Sequence, residues 1–284
     1  MSNKKPKVSV LTPIYNTNPA HLREMIESIL NQTFTDFEFL ILNDSPDNTE
    51  IEKIVLDYAK HDKRIKYYKN SKNMGITPSR NKLLKLASGE YLAIFDHDDI
   101  SLPERLKLQV EYLDKTPDVG VVSGCLEHFG AEKHVWPYPE SDIDIRIMTC
   151  DNCVVAHTAA MIRKSVLTEN GIEYEEYYTP AEDYRLWTRL MDVTHFHNIQ
   201  RVLVKYRWTG NNTTTLQKNK MEDARRTIYL EFRDKHPAIY QEFKKTTSRT
   251  LFRLYLFGCL PIIKIKKNWV YLFAVIPVFK IKWK

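Results

Sequence analysis

Apolar positions in the first 123 residues alternate between two spacings. Val8-Ser9-Val10-Leu11 reads as a short buried strand, and Phe37 to Leu42, Ile65 to Tyr68, Tyr91 to Phe95 and Val119 to Ser123 read as four more. Between them the period changes. Leu22, Met25, Ile26, Ile29 and Leu30 line one helical face, and Ile51, Ile54, Val55 and Tyr58 line another. Thr77-Pro78 reads as an N-cap and first-turn proline for a helix through Leu83, Leu84 and Leu86, which Ser88-Gly89 stops. Pro103 to Leu113 supplies the next helix. Strand and helix alternating through short connections predict an α/β fold, a mostly parallel sheet with helices on both faces.

The second half is less regular. Positions 126–178 mix short apolar runs with Pro, His and Asp. Thr179-Pro180-Ala181-Glu182-Asp183 opens a helix carried by Leu186, Trp187, Leu190 and Met191; Val202-Leu203-Val204 reads as a strand, and Met221 to Asp234 as a helix. Gly210 to Thr215 reads as a polar loop.

Ligands of such sheets bind beyond the carboxyl ends of the strands. The polar oddities cluster there: Thr12-Pro13-Ile14-Tyr15-Asn16 after the first strand, Asn43-Asp44-Ser45 after the second, and Asp96-His97-Asp98-Asp99 after the fourth. Crowded carboxylates repel one another, and a hard divalent cation makes the arrangement favourable. Asp96 and Asp98 can face one ion, since alternate residues of an extended chain share a side; Asp99 then points elsewhere. A diphosphate bridging to that metal becomes a good leaving group. The plainer reading is a solvated acidic turn. Asp44 is a candidate for a nucleobase or ribose, or an Asx-turn. Asn73-Met74-Gly75 and Arg80 flank a helix start able to meet phosphate, or form an ordinary capped helix. Glu182 and Asp183 lie in a helix first turn, where the dipole favours carboxylates; a general base is the functional alternative.

Charge narrows the classes. Of 42 Lys/Arg, ten fall after Phe243 with no acid among them, which leaves 32 against 36 acids in positions 1–242, a net of −4 beneath the whole-chain +6. An acidic body argues against nucleic-acid binding. Four cysteines in 284 residues are too few for a disulfide framework, and the single CxxC of Cys150 and Cys153 lacks a second pair for zinc. No secretory leader pattern opens the chain, and no apolar run reaches the ~18–20 residues that span a bilayer. The expected address is cytoplasmic.

Taken in order, Val8 to Asn16, Ser28-Ile29-Leu30-Asn31-Gln32-Thr33-Phe34, Leu42 to Ser45, Asn73-Met74-Gly75, Gly89-Glu90-Tyr91-Leu92-Ala93, the Asp-x-Asp cluster and Ala181-Glu182-Asp183-Tyr184 resemble glycosyltransferase family 2 over about positions 7–215. The resemblance implies a GT-A fold, a Rossmann-like domain over 1–215, followed by a helical segment with a basic tail over 216–284. It implies that Pro13, Tyr15 and Asp44 hold the base and ribose of a nucleotide sugar, expected to be UDP-linked, with Asn73 and Arg80 nearby. Asp96 lies by the ribose and metal, Asp98 binds Mn2+ or Mg2+, and Asp183 is the catalytic base. The implied reaction is inverting transfer of a sugar to a glycan or lipid-linked acceptor, as in bacterial lipopolysaccharide or capsule synthesis.

Three departures matter. Processive synthases of the family carry Gln-x-x-Arg-Trp; here Arg207-Trp208 follows Val204, so a polymer-extruding enzyme is not expected. Thr209 stands where many relatives place a histidine two residues after the arginine, and His97 is bulkier than the usual residue of the acidic motif. Glu182, His157 and Arg207 are further candidates for the acceptor or donor loop, with a buried structural role as the alternative for His157.

From Leu251 to Lys284 apolar and basic residues interleave, ending in Lys280-Ile281-Lys282-Trp283-Lys284. At about 1 kcal/mol per basic residue near an anionic leaflet, the tail predicts peripheral attachment to the inner face of the cytoplasmic membrane; packing on the body is the alternative. Two competing functions remain: a nucleotide-sugar-binding scaffold without catalysis, and a nucleotidyltransferase, whose Gly-rich phosphate loop is missing from Thr12–Thr17.

Overall fold

The computed structural model describes residues 5–131, 133–209 and 216–256 and the strand segments Lys264–Lys266, Trp269–Leu272 and Ile276–Lys280, with side chains described through Thr247. It contains two compact units, Met1–Glu231 and Phe232–Lys284.

The first unit begins β1 (Val8–Ile14), α1 (Pro19–Leu30), β2 (Phe37–Asn43), α2 (Thr49–His61), β3 (Ile65–Lys69), α3 (Ile76–Leu86) and β4 (Tyr91–Ile94). It continues with β5 (Ile100–Ser101), α4 (Arg105–Lys115), β6 (Val119–Gly130), β7 (His134–Trp136), α5 (Asp142–Thr149), β8 (Met161–Arg163), α6 (Lys164–Glu169), α7 (Glu182–Leu190) and β9 (His195–Trp208), and α8 (Lys218–Lys235) starts within it. The sheet runs β3-β2-β1-β4-β8-β6-β9-β5, with β7 added to β6.

Every residue of β1 is buried, because helices cover both faces of the sheet. Asn18 caps α1 by accepting from the amides of Ala20 and His21, and Pro19 occupies the first turn. Its Leu22, Met25, Ile26 and Ile29 are fully buried against the sheet, a contribution of roughly 1.5–3 kcal/mol each as an upper bound. Gly89 stands two residues before the start of β4, and a Cβ there would lie 2.6 Å from the Ser9 amide nitrogen. Only glycine lets the two backbones approach so closely.

The structure adjusts the sequence reading in three places. The strands are parallel across β3-β2-β1-β4, but β8 lies antiparallel between β4 and β6, so the sheet is mixed beyond β4. Three residues do not repeat often enough to reveal a strand period. The strand expected at Val119 to Ser123 runs on to Gly130, because β9 pairs with it in parallel along its length through register shifts. Helix α3 starts at Ile76 behind Gly75 with φ +88°, ahead of the expected Thr77 cap. The Thr77 hydroxyl pairs with that of Thr179 at 2.8 Å instead, and Pro78 sits in the first turn, where its missing N–H is harmless.

A smaller cluster of Tyr178, Ala181, Tyr184 and Ile228 packs α8 against α7. In the second unit α9 (Pro237–Leu256) precedes an antiparallel sheet of β10 (Lys264–Lys266), β11 (Trp269–Leu272) and β12 (Ile276–Lys280). The tail side chains expected to meet a membrane lie outside the described residues. No helix among the described residues is long and apolar enough to cross a membrane.

Candidate functional site

The crevice follows from strand register. β1 pairs with β2 through Ile14↔Asn43, but with β4 only through Leu11↔Ile94. Beyond that point β4 turns away as Asp96-His97-Asp98-Asp99, and β1 is open on that side. Pro13 is tolerated there, because no β4 ladder requires its missing N–H. Tyr15 emerges half exposed (49%), and Asn16 turns the chain at φ +45°. The Asn16 amide donates to Ser45 Oγ at 3.1 Å, and Thr17 Oγ1 lies 3.1 Å from His97 Nδ1. The three strand ends singled out in the sequence therefore meet.

Asp44 is buried, and both carboxylate oxygens are engaged. Oδ1 accepts from Asn70 Nδ2 at 2.6 Å and the Met74 amide at 2.8 Å, while Oδ2 accepts from the Gly75 amide at 2.8 Å. Asp44 thus holds the 70–75 loop against the strand ends. Asn73 is exposed on that loop, its Oδ1 accepting from the Gly75 amide.

Arg80 is the hub. It donates from Nη1 to Glu182 Oε1 at 2.6 Å and from Nη2 to Asp96 Oδ1 at 3.2 Å, with its guanidinium 5.6 Å from the Tyr174 ring centre. One cation therefore joins the acidic turn to the first turn of α7. Burial opposes ionisation of Asp96, but the charge of Arg80 leads the effects that outweigh it and hold this carboxyl below its usual range. Asp98 moves the other way: burial, then the like charge of Asp96, push it up against His97. Asp99 is fully buried and pushed well up by burial and by Asp98 and Asp96; its Oδ1 accepts from the Arg207 amide at 2.9 Å.

Arg207 locks this turn from β9. Its Nε donates to the Asp98 carbonyl at 2.7 Å, its Nη2 pairs with Glu24, and its guanidinium lies 4.5 Å from the Phe129 ring centre. His157 is buried, its Nε2 2.9 Å from the Tyr174 hydroxyl; burial first, then Arg80, push it down to about 3, so it is neutral at pH 7.

Asp183, beside Glu182, is half-buried. Its Oδ1 accepts from the Tyr184 amide at 2.7 Å. Burial and then the charge of Glu182 push it up to about 6, despite Arg80. A carboxylate in that range is suited to accept a proton at neutral pH. Glu182 Oε2, Arg80 Nε, Asp99 Oδ2, Thr12 Oγ1 and Trp187 Nε1 are buried without hydrogen-bond partners. These atoms belong to the β1 end, the acidic turn, α3 and α7, and buried unpaired polar groups call for an explanation such as a ligand.

Sequence reasoning missed Arg105. It is fully buried beneath the acidic turn, donating from Nη2 to the carbonyls of Ile94 at 2.7 Å and Ala160 at 3.3 Å. Burial pulls it down to about 9, against Asp99 and Asp96. A signal was present: Arg105 and Gln109 sit at i and i+4 on the same helical face as Leu106, Val110 and Leu113, all buried. Tyr174 and Thr158, which touch His157 and the Asp96 amide, carried no such mark.

A groove of about 670 Å³ opens at the opposite end of β1 and β4, beside Lys7, Gly89, Glu90 and Arg163. Its charges pair with one another or nearby, Lys7 with Glu90 and Asp114 at 2.8 Å each. The strand-end crevice is where the chemistry gathers.

The family model described as Glycosyl transferase family 2 matches residues 9–171. An uncharacterised glycosyltransferase of Methanocaldococcus jannaschii is 34% identical over 230 residues, covering 76% of this chain and 77% of its own. S. aureus TarS, solved with UDP-GlcNAc, superposes with a TM-score of 0.62 at 20% identity, over 81% of this chain and 72% of that one. The mannosyltransferase PcManGT of Pyrobaculum calidifontis, solved with GDP-Man and Mn2+, gives 0.58 at 17% identity, over 76% and 60%.

Proposed function

Because this chain belongs to glycosyltransferase family 2 and has the GT-A fold, we propose that it transfers a sugar from a nucleotide diphosphate to an acceptor hydroxyl with inversion. The observation that carries the reading is Asp183, held up at about 6 and linked to the acidic turn through Glu182, Arg80 and Asp96. The acceptor oxygen attacks the anomeric carbon, the bond from that carbon to the diphosphate oxygen breaks, and Asp183 takes the hydroxyl proton. Attack opposite the leaving group inverts the centre.

Tyr15, exposed beyond β1, and Pro13 would line the base and ribose, with Asn73 on the loop that Asp44 holds in place. UDP-hexose or UDP-N-acetylhexosamine is the proposed donor, consistent with TarS binding UDP-GlcNAc. A hydroxyl of a bacterial surface glycan or glycolipid is the proposed acceptor.

Among the described residues no group of three His, Cys, Asp or Glu would hold a metal unaided. Mg2+ and Mn2+ sites completed by substrate phosphates need only one or two carboxylates. Asp98 fits, because burial and Asp96 oppose its ionisation and a cation would relieve both. Asp96, 28% exposed and already facing Arg80, would be the weaker partner. A divalent cation held there would offset the negative charge on the departing diphosphate. The basic tail would bring the enzyme to an anionic membrane surface.

Asp183→Asn tests the reading. It should retain nucleotide affinity by calorimetry and lose transfer by at least about a hundredfold. Undiminished turnover would remove Asp183 from the mechanism.

A further inference from the structure

Asn70 directly follows β3 and is buried beside the crevice. Its Nδ2 donates to Asp44 Oδ1 at 2.6 Å and to Ser79 Oγ at 3.1 Å, and its Oδ1 accepts from Lys82 Nζ at 2.8 Å. Its backbone amide donates to the Asn43 carbonyl at 2.9 Å, which seats the residue next to Asp44. One side-chain amide thus joins a cation on α3 to the aspartate that ends β2.

Residue type explains the link. A primary amide accepts at oxygen and donates at nitrogen, whereas an ammonium cannot accept and an ionised carboxylate cannot donate. Neither could stand between Lys82 and Asp44 with both bonds made. Lys82 also fixes which way the amide faces, because a flipped Asn70 would turn its NH2 group against the ammonium. In a buried setting such a chain polarises along its length and each bond strengthens the next. Lys82 itself is exposed and borders a separate groove of about 450 Å³ along α3, with Thr77, Pro78, Asn81 and Lys85. Asp44, Asp96, Asp98 and Asp183 do not line that groove.

A carboxylate offers about four acceptor positions. Asp44 fills three, with Asn70 and the Met74 amide on Oδ1 and the Gly75 amide on Oδ2. The Asn70 bond is the shortest and comes from the end of β3, so it sets the rotation of the carboxylate independently of Met74 and Gly75. We infer that Asn70 is a positioning residue of the donor site, and that Lys82 acts on that site from outside it through Asn70. The inference rests on the nucleotide-sugar reading of the crevice and names two residues that set donor affinity without touching the donor. With Asp44 held at one rotation, the Met74 and Gly75 amides stay seated and Asn73 is presented on an ordered loop.

Backbone hydrogen exchange on the full chain, with UDP and GDP calorimetry in parallel, tests this. Asn70→Ala should speed exchange of the Met74 and Gly75 amides about tenfold and weaken UDP about tenfold. Lys82→Met should move both in the same direction by about threefold and leave the melting temperature within a few degrees, because the position is exposed. In an Asp44→Ala background, Asn70→Ala should change the two exchange rates by less than about twofold, since the carboxylate it acts through is gone. Exchange unchanged in Asn70→Ala, exchange accelerated equally with and without Asp44, or UDP affinity left intact by Asn70→Ala overturns the inference. Where Asn70→Ala fails to fold, Lys82→Met decides alone, and no shift in exchange or affinity overturns the inference. A parent chain that binds neither UDP nor GDP while the exchange pattern holds would instead refute the nucleotide reading and leave the Asn70 link standing.

Discussion

Asp183 offers a prediction with two readouts of opposite sign. Its ordinary value of 3.8 is raised in the folded protein to about 6, by burial and then by Glu182. A raised carboxyl favours the folded state when protonated. That stability is complete below about pH 4 and is lost as pH rises through about 6. The interval corresponds to at most about 3 kcal/mol, at 1.36 kcal/mol per pKa unit, and partial exposure reduces this to roughly 1–3. Asp183→Asn keeps the shape and cannot ionise. It should therefore be more stable than the parent at pH 7.5 by about 1–3 kcal/mol, and equal to it near pH 4. Urea unfolding at both pH values measures this. In the parent, kcat/KM should fall tenfold per pH unit below about 6, since only the ionised form accepts a proton. Glu182→Gln removes the neighbouring charge and leaves Arg80 with only Asp96 of its two carboxylate partners, so the acid limb should move down, by about one pH unit. An acid limb that stays in place or rises, or an Asp183→Asn variant less stable at pH 7.5, would show that the environment of this carboxyl has been misread.

Three further outcomes follow from the geometry. Asp98→Asn should abolish Mn2+ binding measured by calorimetry in the presence of UDP while leaving the melting temperature within a few degrees, because its side chain is half-buried at the crevice. Gly89→Ala should destabilise the fold by about 2 kcal/mol or more in thermal melts, since its Cβ would meet the Ser9 nitrogen at 2.6 Å and Val8 C at 2.8 Å. Arg105→Met should lose about 3 kcal/mol in urea unfolding, because the carbonyls of Ile94 and Ala160 lose their buried donor and Asp99 and Asp96 lose a buried cation.

The strand ends were legible because chemistry there interrupts a strong apolar period. Three acids after Tyr91 to Phe95, or an aspartate after Phe37 to Leu42, stand out against strands buried on both faces. The same reasoning was weaker for β8, three residues long, and for the continuation of β6, whose pairing with β9 is non-local. Helix α3 shows how a local signal loses to a tertiary one. Thr77-Pro78 is a sound start pattern, yet Asp44 draws in the amides of Met74 and Gly75 and the helix begins behind the glycine.

Spacing and residue type were sufficient for the α/β alternation and the family resemblance, and they singled out Asp96, Asp98 and Asp183 as candidates, since these depend on periods and motifs confined to short stretches of chain. Packing alone revealed that Arg80 couples Asp96 to Glu182, that Arg105 lies buried beneath the acidic turn, and that Asn70 joins Lys82 to Asp44. Those facts join residues as far as 102 positions apart. Charge, burial and hydrogen bonding act through space, and the distances they depend on exist only once the chain is folded.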